Sequence, residues 1–297
     1  MAVASEGRPL GGLGALALPR WDNLRRLPIP QAAVIVIFVV MALFGPTLAP
    51  HDAYETNLRQ RLTPPAWSPG GRAEHLLGTD QLGRDMLSRV IVGARASFIV
   101  AIAALVSGCV MGALVGLVSG YFGGRVDAVI MRVADATIAF PLILMALLLA
   151  TVLGPGIHSV VLAAGLVLWA RFSRLIRSEV LSVKERDYIR LARVAGASHW
   201  RIMLVHILPN VLNSVVVLLT LQLGFVIILE ATLSFLGAGI PPPTPTWGQM
   251  VASGREFITT AWWLSLIPGA AIAVVVLAFN LLGDWLRDHL DPKLRQV

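Results

Sequence analysis

Residues able to do chemistry are few and scattered in this chain of 297 residues. The six histidines form no His-x-x-x-His pair, and a single cysteine leaves no Cys pair, so no metal site is predicted. The two lysines, Lys184 and Lys293, follow valine and proline, so neither completes the Gly-Lys core of a Walker A loop. We therefore expect no catalytic residue, no cofactor-binding residue and no metal ligand here, and no enzymatic activity of the chain itself.

Glu230 is the ionisable residue best placed to serve a transport pathway. Ionisable groups inside membrane spans are typical of ion and substrate routes. Glu230 lies about 20 residues into its apolar run, some 30 Å along a helix, which puts it near one end rather than at the midplane. The alternatives stay open: Glu230 lines the pathway or outer gate with Ser234, or it pairs with an arginine such as Arg84 or Arg255, or it is a helix-end carboxylate that stabilises the outer loop.

Four charged residues precede the second apolar run with helical i,i+4 spacing. Asp80 would pair with Arg84, and Asp85 with Arg89, on an amphipathic helix beginning near Gln81. Two roles are compatible with this pattern: a self-paired helix at the membrane interface, or a contact surface for an external protein.

Composition places the chain among membrane proteins. It is 56% hydrophobic and only 14% charged, with a mean hydropathy of +0.76. The net charge of +7 comes from arginines at the ends of apolar runs, which argues against nucleic-acid binding. Cys109 lies within an apolar run and has no intramolecular partner.

The runs without charge predict an all-α, polytopic membrane protein of six transmembrane helices. The predicted spans are about 31–49, 97–119, 135–153, 157–176, 210–236 and 262–283. Gly154-Pro155-Gly156 reads as a tight turn between the third and fourth. Arg171, Arg174 and Arg177 fall at the end of the fourth, where their side chains would extend to the interface. Most Lys and Arg residues then lie on one side, which predicts that both termini are cytoplasmic.

Four glycines recur every fourth residue in the second span, at Gly108, Gly112, Gly116 and Gly120. They lie along one helix face and permit close approach of another helix. The partner helix is expected within this chain or, alternatively, across a subunit interface.

The most informative segment lies between the fourth and fifth spans, from Asp187 to Asn210. Its apolar residues recur at near-helical spacing among arginines and acidic residues, which predicts a short amphipathic helix. Gly196 would end this helix, a second would begin at Ser198, and Pro209 would mark the start of the fifth span. A charged helical loop between spans is suited to docking a soluble partner.

These residues resemble the EAA loop of ABC importer permeases. The matching positions are Arg190, Leu191, Ala192, Gly196, Ala197, Ile207, Leu208 and Pro209. The chain departs from the family at the head of the motif, where Arg-Leu-Ala replaces Glu-Ala-Ala. The resemblance implies that residues 178–209 form a coupling loop that docks into separate ATPase subunits.

Three further segments are similar to the C-type permease of dipeptide, oligopeptide and nickel importers, in the same order. They are Leu77-Gly78-Thr79-Asp80-x2-Gly83-Arg84-Asp85, Leu229-Glu230-Ala231-x2-Ser234-Phe235-Leu236-Gly237 with Trp247-Gly248 after it, and Asn280-Leu281-Leu282-Gly283-Asp284. The resemblance implies a type I ABC importer fold in the bacterial cytoplasmic (inner) membrane. It also implies a second permease subunit in a heterodimer, one or two ABC ATPases that bind ATP and Mg, and an extracytoplasmic solute-binding protein. Asp80, Arg84, Asp85 and Trp247 would then contact that binding protein.

The expected organisation has four parts. Residues 1–30 form a cytoplasmic tail, 31–95 the first span and an outer loop with its amphipathic helix, 96–285 the permease core, and 286–297 a cytoplasmic tail. The expected substrates are di- or oligopeptides, with nickel chelates as the alternative and an ion-coupled secondary transporter as a more remote one. Membrane lipid is an expected partner and nucleic acid is not.

Overall fold

The computed structural model describes residues 28–290, which are helical apart from the loops between helices and one isolated β-bridge. We number the main helices in chain order. They are α1 (Ile29–Leu48), α2 (Met86–Phe122), α3 (Gly124–Ala139), α4 (Leu142–Leu153), α5 (Ile157–Val183), α6 (Asp187–Val194), α7 (His199–Phe235), α8 (Trp247–Gly254) and α9 (Trp263–Leu290). The predicted N-terminal tail falls almost wholly outside the described residues, as does the last part of the predicted C-terminal tail.

Five helices in the described part of the chain, α1, α2, α5, α7 and α9, are long and apolar enough to cross a membrane. Helices α3 and α4 make a sixth span if the bent pair is counted as one, with an angle of 86° between them. The prediction of one straight helix over 135–153 is therefore wrong. Phe140 is extended, as the residue before a proline prefers to be, and Pro141 then starts α4 in a new direction.

The second span begins eleven residues earlier than expected because Asp85 caps it. The Asp85 carboxylate accepts the backbone N–H of Ser88 at 2.8 Å, and the helix continues unbroken from Met86 to Phe122. No separate amphipathic helix begins near Gln81, and the predicted boundary between 95 and 96 falls inside α2. At the other end, α9 extends to Leu290, beyond the predicted limit of the core at 285.

The glycine face of α2 packs against α5 of the same chain. A Cβ added at Gly112 would lie 2.5 Å from the Cβ of Phe172, and one at Gly116 would lie 2.7 Å from the carbonyl oxygen of Ser173. Gly108 and Gly120 meet α5 in the same way. The first interpretation of the glycine pattern, packing within the chain, is confirmed.

The end of the bundle where α2 begins is covered by two loop-rich segments, 49–85 and 236–262, which we call the cap. Trp247 is fully buried there, and its Nε1–H donates to the carbonyl oxygen of Val90 at 2.8 Å. Phe38 of α1 packs on the Trp247 ring with centroids 5.5 Å apart. Trp263 Nε1–H donates to the carbonyl oxygen of Thr79 at 3.1 Å. These contacts fix the cap to α1, α2 and α9.

Candidate coupling surface and transport pathway

The loop between α6 and α7 turns at Gly196, as the sequence predicts. Gly196 has φ of +79°, a left-handed conformation that favours glycine. Its N–H donates to the carbonyl of Arg193, and the N–H of Ala197 donates to that of Ala192, both at 3.0 Å, which is the bonding pattern of a Schellman motif. The Ser198 side chain then accepts the N–H of Arg201 and caps the next helix.

That next helix is continuous with the fifth span, so Pro209 does not begin a separate helix. A π-helical turn covers Ile202–Ile207 inside α7, and the N–H of Leu208 donates to the carbonyl of Met203. Proline has no N–H and its ring crowds the preceding turn, so the wider turn accommodates Pro209 without ending the helix. The part of α7 after the Gly196 turn and its membrane-spanning part are thus one element of 37 residues.

Three apolar side chains of the loop face outward and form what we call the loop surface: Leu191, Val194 and Trp200. Val194 is 88% exposed, Leu191 68% and Trp200 62%. The opposite face of α6 buries Ile189 completely. Large apolar side chains exposed in one short segment are compatible with a protein interaction site.

The other predicted coupling residues divide between exposed and buried positions. Arg190, Gly196 and Pro209 are exposed, Ala192, Ala197 and Leu208 are partly buried, and Ile207 is buried. Arg190 donates to Glu185 at 3.2 Å and lies 3.9 Å from Asp187. The arginine at the head of the motif therefore has acidic partners within the loop itself.

Polar contacts that the sequence analysis missed attach the loop to α2. The Tyr121 hydroxyl lies 2.8 Å from Nδ1 of His199, and the Arg193 guanidinium lies 5.4 Å from the Tyr121 ring centroid. Lys184 Nζ donates to the carbonyl of Gly120 at 2.8 Å. The sequence shows only that polar residues cluster at the end of a long apolar run. It does not indicate which of these residues contact one another.

Glu230 is fully buried between α2 and α7. Its carboxylate accepts the Ser97 hydroxyl at 2.9 Å and the Ser234 hydroxyl at 2.7 Å. The expected pairing with Arg84 or Arg255 is wrong: Arg84 pairs with Asp80, and Arg255 lies over the Phe235 ring. In this conformation Glu230 joins α7 to α2 through Ser97, and Glu230 and Ser234 are both buried.

A different charge lies near the middle of the membrane-spanning helices. Arg171, near the midpoint of α5, donates to the Gln222 side chain at 3.1 Å, and its guanidinium lies 4.3 Å from the Phe225 ring centroid. Within residues 28–290 no carboxylate lies within salt-bridge distance of it. Arg171 is predicted near the end of a span over 157–176, whereas α5 continues to Val183 and has Arg171 near its midpoint.

The residues expected to contact a binding protein lie inside the cap. Asp80 and Asp85 are each 3% exposed, and Trp247 is fully buried. Asp80 pairs with Arg84 at 2.7 Å and lies 3.5 Å from Arg89, but it does so from a loop rather than a helix. The predicted Asp85–Arg89 pair is wrong, since Arg89 donates to the carbonyl of Ala53 instead. In this conformation Asp80, Asp85 and Trp247 offer little surface for that contact, which stays a prediction.

Comparison with known proteins identifies the family of this chain. Residues 112–296 match the model of the binding-protein-dependent transport system inner membrane component. Residues 32–65 match the N-terminal transmembrane domain of oligopeptide transport permease C. The chain belongs to the binding-protein-dependent transport permeases.

The chain is similar to named peptide transport permeases over most of their length. It is 44% identical over 263 residues to the di/tripeptide transport system permease protein of Pseudomonas aeruginosa, covering 89% of this chain and 87% of the relative. It is 38% identical over 271 residues to the oligopeptide transport system permease protein of Bacillus subtilis, covering 91% and 87%. The predicted resemblance to C-type permeases is confirmed.

Two solved structures share the fold. The MetNI methionine ABC transporter, inward facing, aligns with a TM-score of 0.58 at 16% identity, over 69% of this chain and 98% of its own. An amino acid ABC transporter with histidines aligns with a TM-score of 0.53 at 18% identity, over 68% and 94%. The all-α ABC permease fold is thereby confirmed, and the chain is a multi-span transport permease.

Proposed function

We propose that this permease forms half of the translocation pathway of an ATP-driven peptide importer in the bacterial cytoplasmic (inner) membrane, with both termini in the cytosol. Its partners would be a second permease in a heterodimer, one or two kinds of ABC ATPase and an extracytoplasmic solute-binding protein. Di- or oligopeptides are the favoured substrates because the relatives described above are named for them. ATP and Mg would be bound by the ATPases.

The observation that carries this proposal is the loop surface, defined by Leu191, Val194 and Trp200. Its apolar side chains are exposed, and the backbone that presents them makes the hydrogen bonds of the Schellman turn at Gly196 and is joined to α2 by the Tyr121–His199 contact. Exposed apolar side chains on an ordered turn suit insertion into a groove of a soluble subunit.

The loop is also connected to the helices that would move. His199 and Trp200 belong to α7, which carries Gln222 and Glu230 farther along the same helix. A displacement of the loop surface by ATPase closure would therefore reorient α7 directly. Alternating access driven from outside the membrane needs a connection of this kind.

For the pathway itself we propose Arg171 and Gln222 in place of Glu230. The guanidinium of Arg171 is half-buried near mid-span and has no carboxylate partner in residues 28–290. Placing such a charge there costs free energy, and charges retained inside spans usually serve a function. A guanidinium and an amide can bind the terminal carboxylate of a peptide. A nickel chelate carrying carboxylates is the alternative ligand. An ion-coupled transporter is disfavoured because Glu230 is fully buried and each of its carboxylate oxygens accepts a serine hydroxyl.

The docking proposal is tested with Val194→Glu, expressed with the proposed partner subunits. Val194 is 88% exposed, so a carboxylate there should leave the fold intact while opposing burial in an apolar groove. Leu58→Glu is the matched control, because Leu58 is also exposed but lies in the cap. The measurement is the amount of ATPase that co-purifies with the tagged permease, followed by peptide uptake.

We expect Val194→Glu to lose most of the co-purifying ATPase and of the uptake, and Leu58→Glu to retain both. Equal recovery of ATPase from the two variants would refute docking through the loop surface. Recovery of the wild-type chain alone, as a homo-oligomer that transports without ATP, would refute the importer and favour a secondary transporter.

A further inference from the structure

Three potential metal ligands, distant in the sequence, converge in the cap. His51 follows α1, His75 lies in the long loop, and Asp85 caps α2. One ligand atom from each lies within 4.8 Å of the other two. Nδ1 of His75 lies 2.9 Å from Oδ1 of Asp85, and Nδ1 of His51 lies 3.8 Å from Oδ2. No spacing motif marks this group, so the expectation of no metal ligand rested on sequence distance alone.

The hydrogen bonds of His75 point to a cation or a proton between its ring and Asp85. Asn57 Oδ1 accepts the backbone N–H of Arg59, which fixes the orientation of the Asn57 amide. Its Nδ2 then donates to Oε1 of Gln60 at 3.0 Å, which fixes the orientation of the Gln60 amide. Nε2 of His75 faces that same Gln60 oxygen at 3.1 Å and must therefore donate a proton. Nδ1 of His75 then faces a carboxylate oxygen of Asp85 at 2.9 Å, so the two atoms must share either a proton or a metal ion.

His51 distinguishes a cation from a shared proton. A proton would need only the His75–Asp85 pair, but a second imidazole nitrogen approaches the same carboxylate, with the two rings 5.0 Å apart. The backbone N–H of His51 donates to the Ser88 hydroxyl at 3.0 Å, and that hydroxyl donates to Asp85 at 2.8 Å. The loop after α1 is thus held in place beside the carboxylate.

We propose that His51, His75 and Asp85 form a binding site for a divalent transition metal, best satisfied by Zn²⁺. Two imidazoles and one carboxylate are a ligand set that zinc accepts, with water in the fourth position. A pocket of about 190 Å³ opens beside the site, and Asp52, Glu55 and Glu74 line it. These carboxylates would attract cations, and the open side leaves room for the water.

Gln60 would orient the His75 ring toward the metal without binding the metal itself. Metal-bound histidines usually donate their second ring N–H to an oxygen, which fixes the tautomer. Gln60 Oε1 occupies that position for His75. A bound metal would join the loop after α1 to the start of α2, and so brace the cap.

The test uses the full-length chain in lipid nanodiscs, stripped with a chelator and titrated with ZnCl₂ in excess Mg²⁺. Wild type should bind one equivalent of Zn²⁺, and zinc should raise its thermal unfolding midpoint. His51→Ala should bind at least about tenfold more weakly and lose the shift in midpoint. His51 is exposed, so this variant should fold; His75→Ala is the second, buried variant.

His158→Ala is the matched control, because His158 is exposed and belongs to no group of potential metal ligands in the described part of the chain. It should bind zinc as wild type does. Equal affinity of wild type and His51→Ala, or no stoichiometric zinc in either, would overturn the site and leave a proton-bridged His75–Asp85 pair. Displacement of zinc by Mg²⁺ would also overturn it, because an oxygen-rich cation site would then explain the binding.

Discussion

Three arginines on successive turns of α5 have different partners, although their spacing suggests one role. Arg174 pairs with Asp135, and Arg177 pairs with Asp127, which tie α5 to α3. Arg171 has only the Gln222 amide and the Phe225 ring among described residues. The sequence shows three equivalent charges at a helix end. Only the packing of α3 and α7 on α5 separates two structural pairs from one charge available for a ligand.

Arg171→Gln tests that distinction. If Arg171 binds a peptide carboxylate, removing the charge should lower peptide uptake about tenfold or more, equivalent to at least ~1.4 kcal/mol of lost interaction. Arg171→Lys should recover part of it, since lysine keeps the charge but loses the planar fork. Arg174→Gln is the control on the same helix. Uptake by energised vesicles is measured at equal assembly of the complex. Normal uptake by Arg171→Gln would refute the assignment.

Ser97→Ala tests the structural role of Glu230. The change removes one of the two hydroxyls that satisfy a fully buried carboxylate, so we expect a loss of about 1–3 kcal/mol in the free energy of unfolding. Ser107→Ala is the matched control on α2, because Ser107 bonds only its own helix, at Ala104. Denaturation in detergent compares the two variants. Equal stability would show that the Ser97–Glu230 bond contributes nothing.

At the scale of elements, the sequence predicted most helices but not where they start, end or break. The glycines of α2 required a close helix neighbour, and α5 is that neighbour. The absence of charge over 136–170 concealed the break at Phe140-Pro141, because hydropathy reports length of apolar chain and not its direction. The cap was misread for a related reason: i,i+4 charges predict a helix only if the backbone is helical, and residues 80–85 form a loop.

Gly112→Val tests the close approach of α2 and α5. A side chain at Gly112 would collide with the Phe172 Cβ and the Trp169 carbonyl, so the helices must separate. Overpacking of this kind costs about 1–3 kcal/mol. Val110→Leu adds bulk to an exposed position one half-turn away and should be neutral. Thermal unfolding of the two variants in detergent is the measurement. A Gly112→Val midpoint equal to that of wild type would contradict the packing.

At the scale of the whole molecule, the orientation in the membrane is a prediction from charge alone. Because the chain has one cysteine, a Cys109→Ser background permits single-cysteine labelling. In spheroplasts, an impermeant maleimide should label Arg72→Cys in the cap directly and label Ser182→Cys beside α6 only after permeabilisation. Both positions are exposed, so accessibility within the protein does not bias the comparison. The opposite pattern would reverse the proposed orientation and with it the cytoplasmic docking surface.

The π turn of α7 affects how the two ends of this helix are oriented relative to each other. At 1.5 Å per residue, the 37 residues of α7 extend about 55 Å, with Trp200 near one end and Glu230 near the other. A π turn holds one residue more than the α-helical turn it replaces, so it sets the angular phase between the two ends. Deleting one residue from Ile202–Ile207 would restore an α-helical turn and nearly keep that phase, whereas deleting one residue from the α-helical part of α7 after Leu208 would rotate the far end by about 100° relative to Trp200. Glu230 would then turn away from Ser97, although every side chain at either end remained.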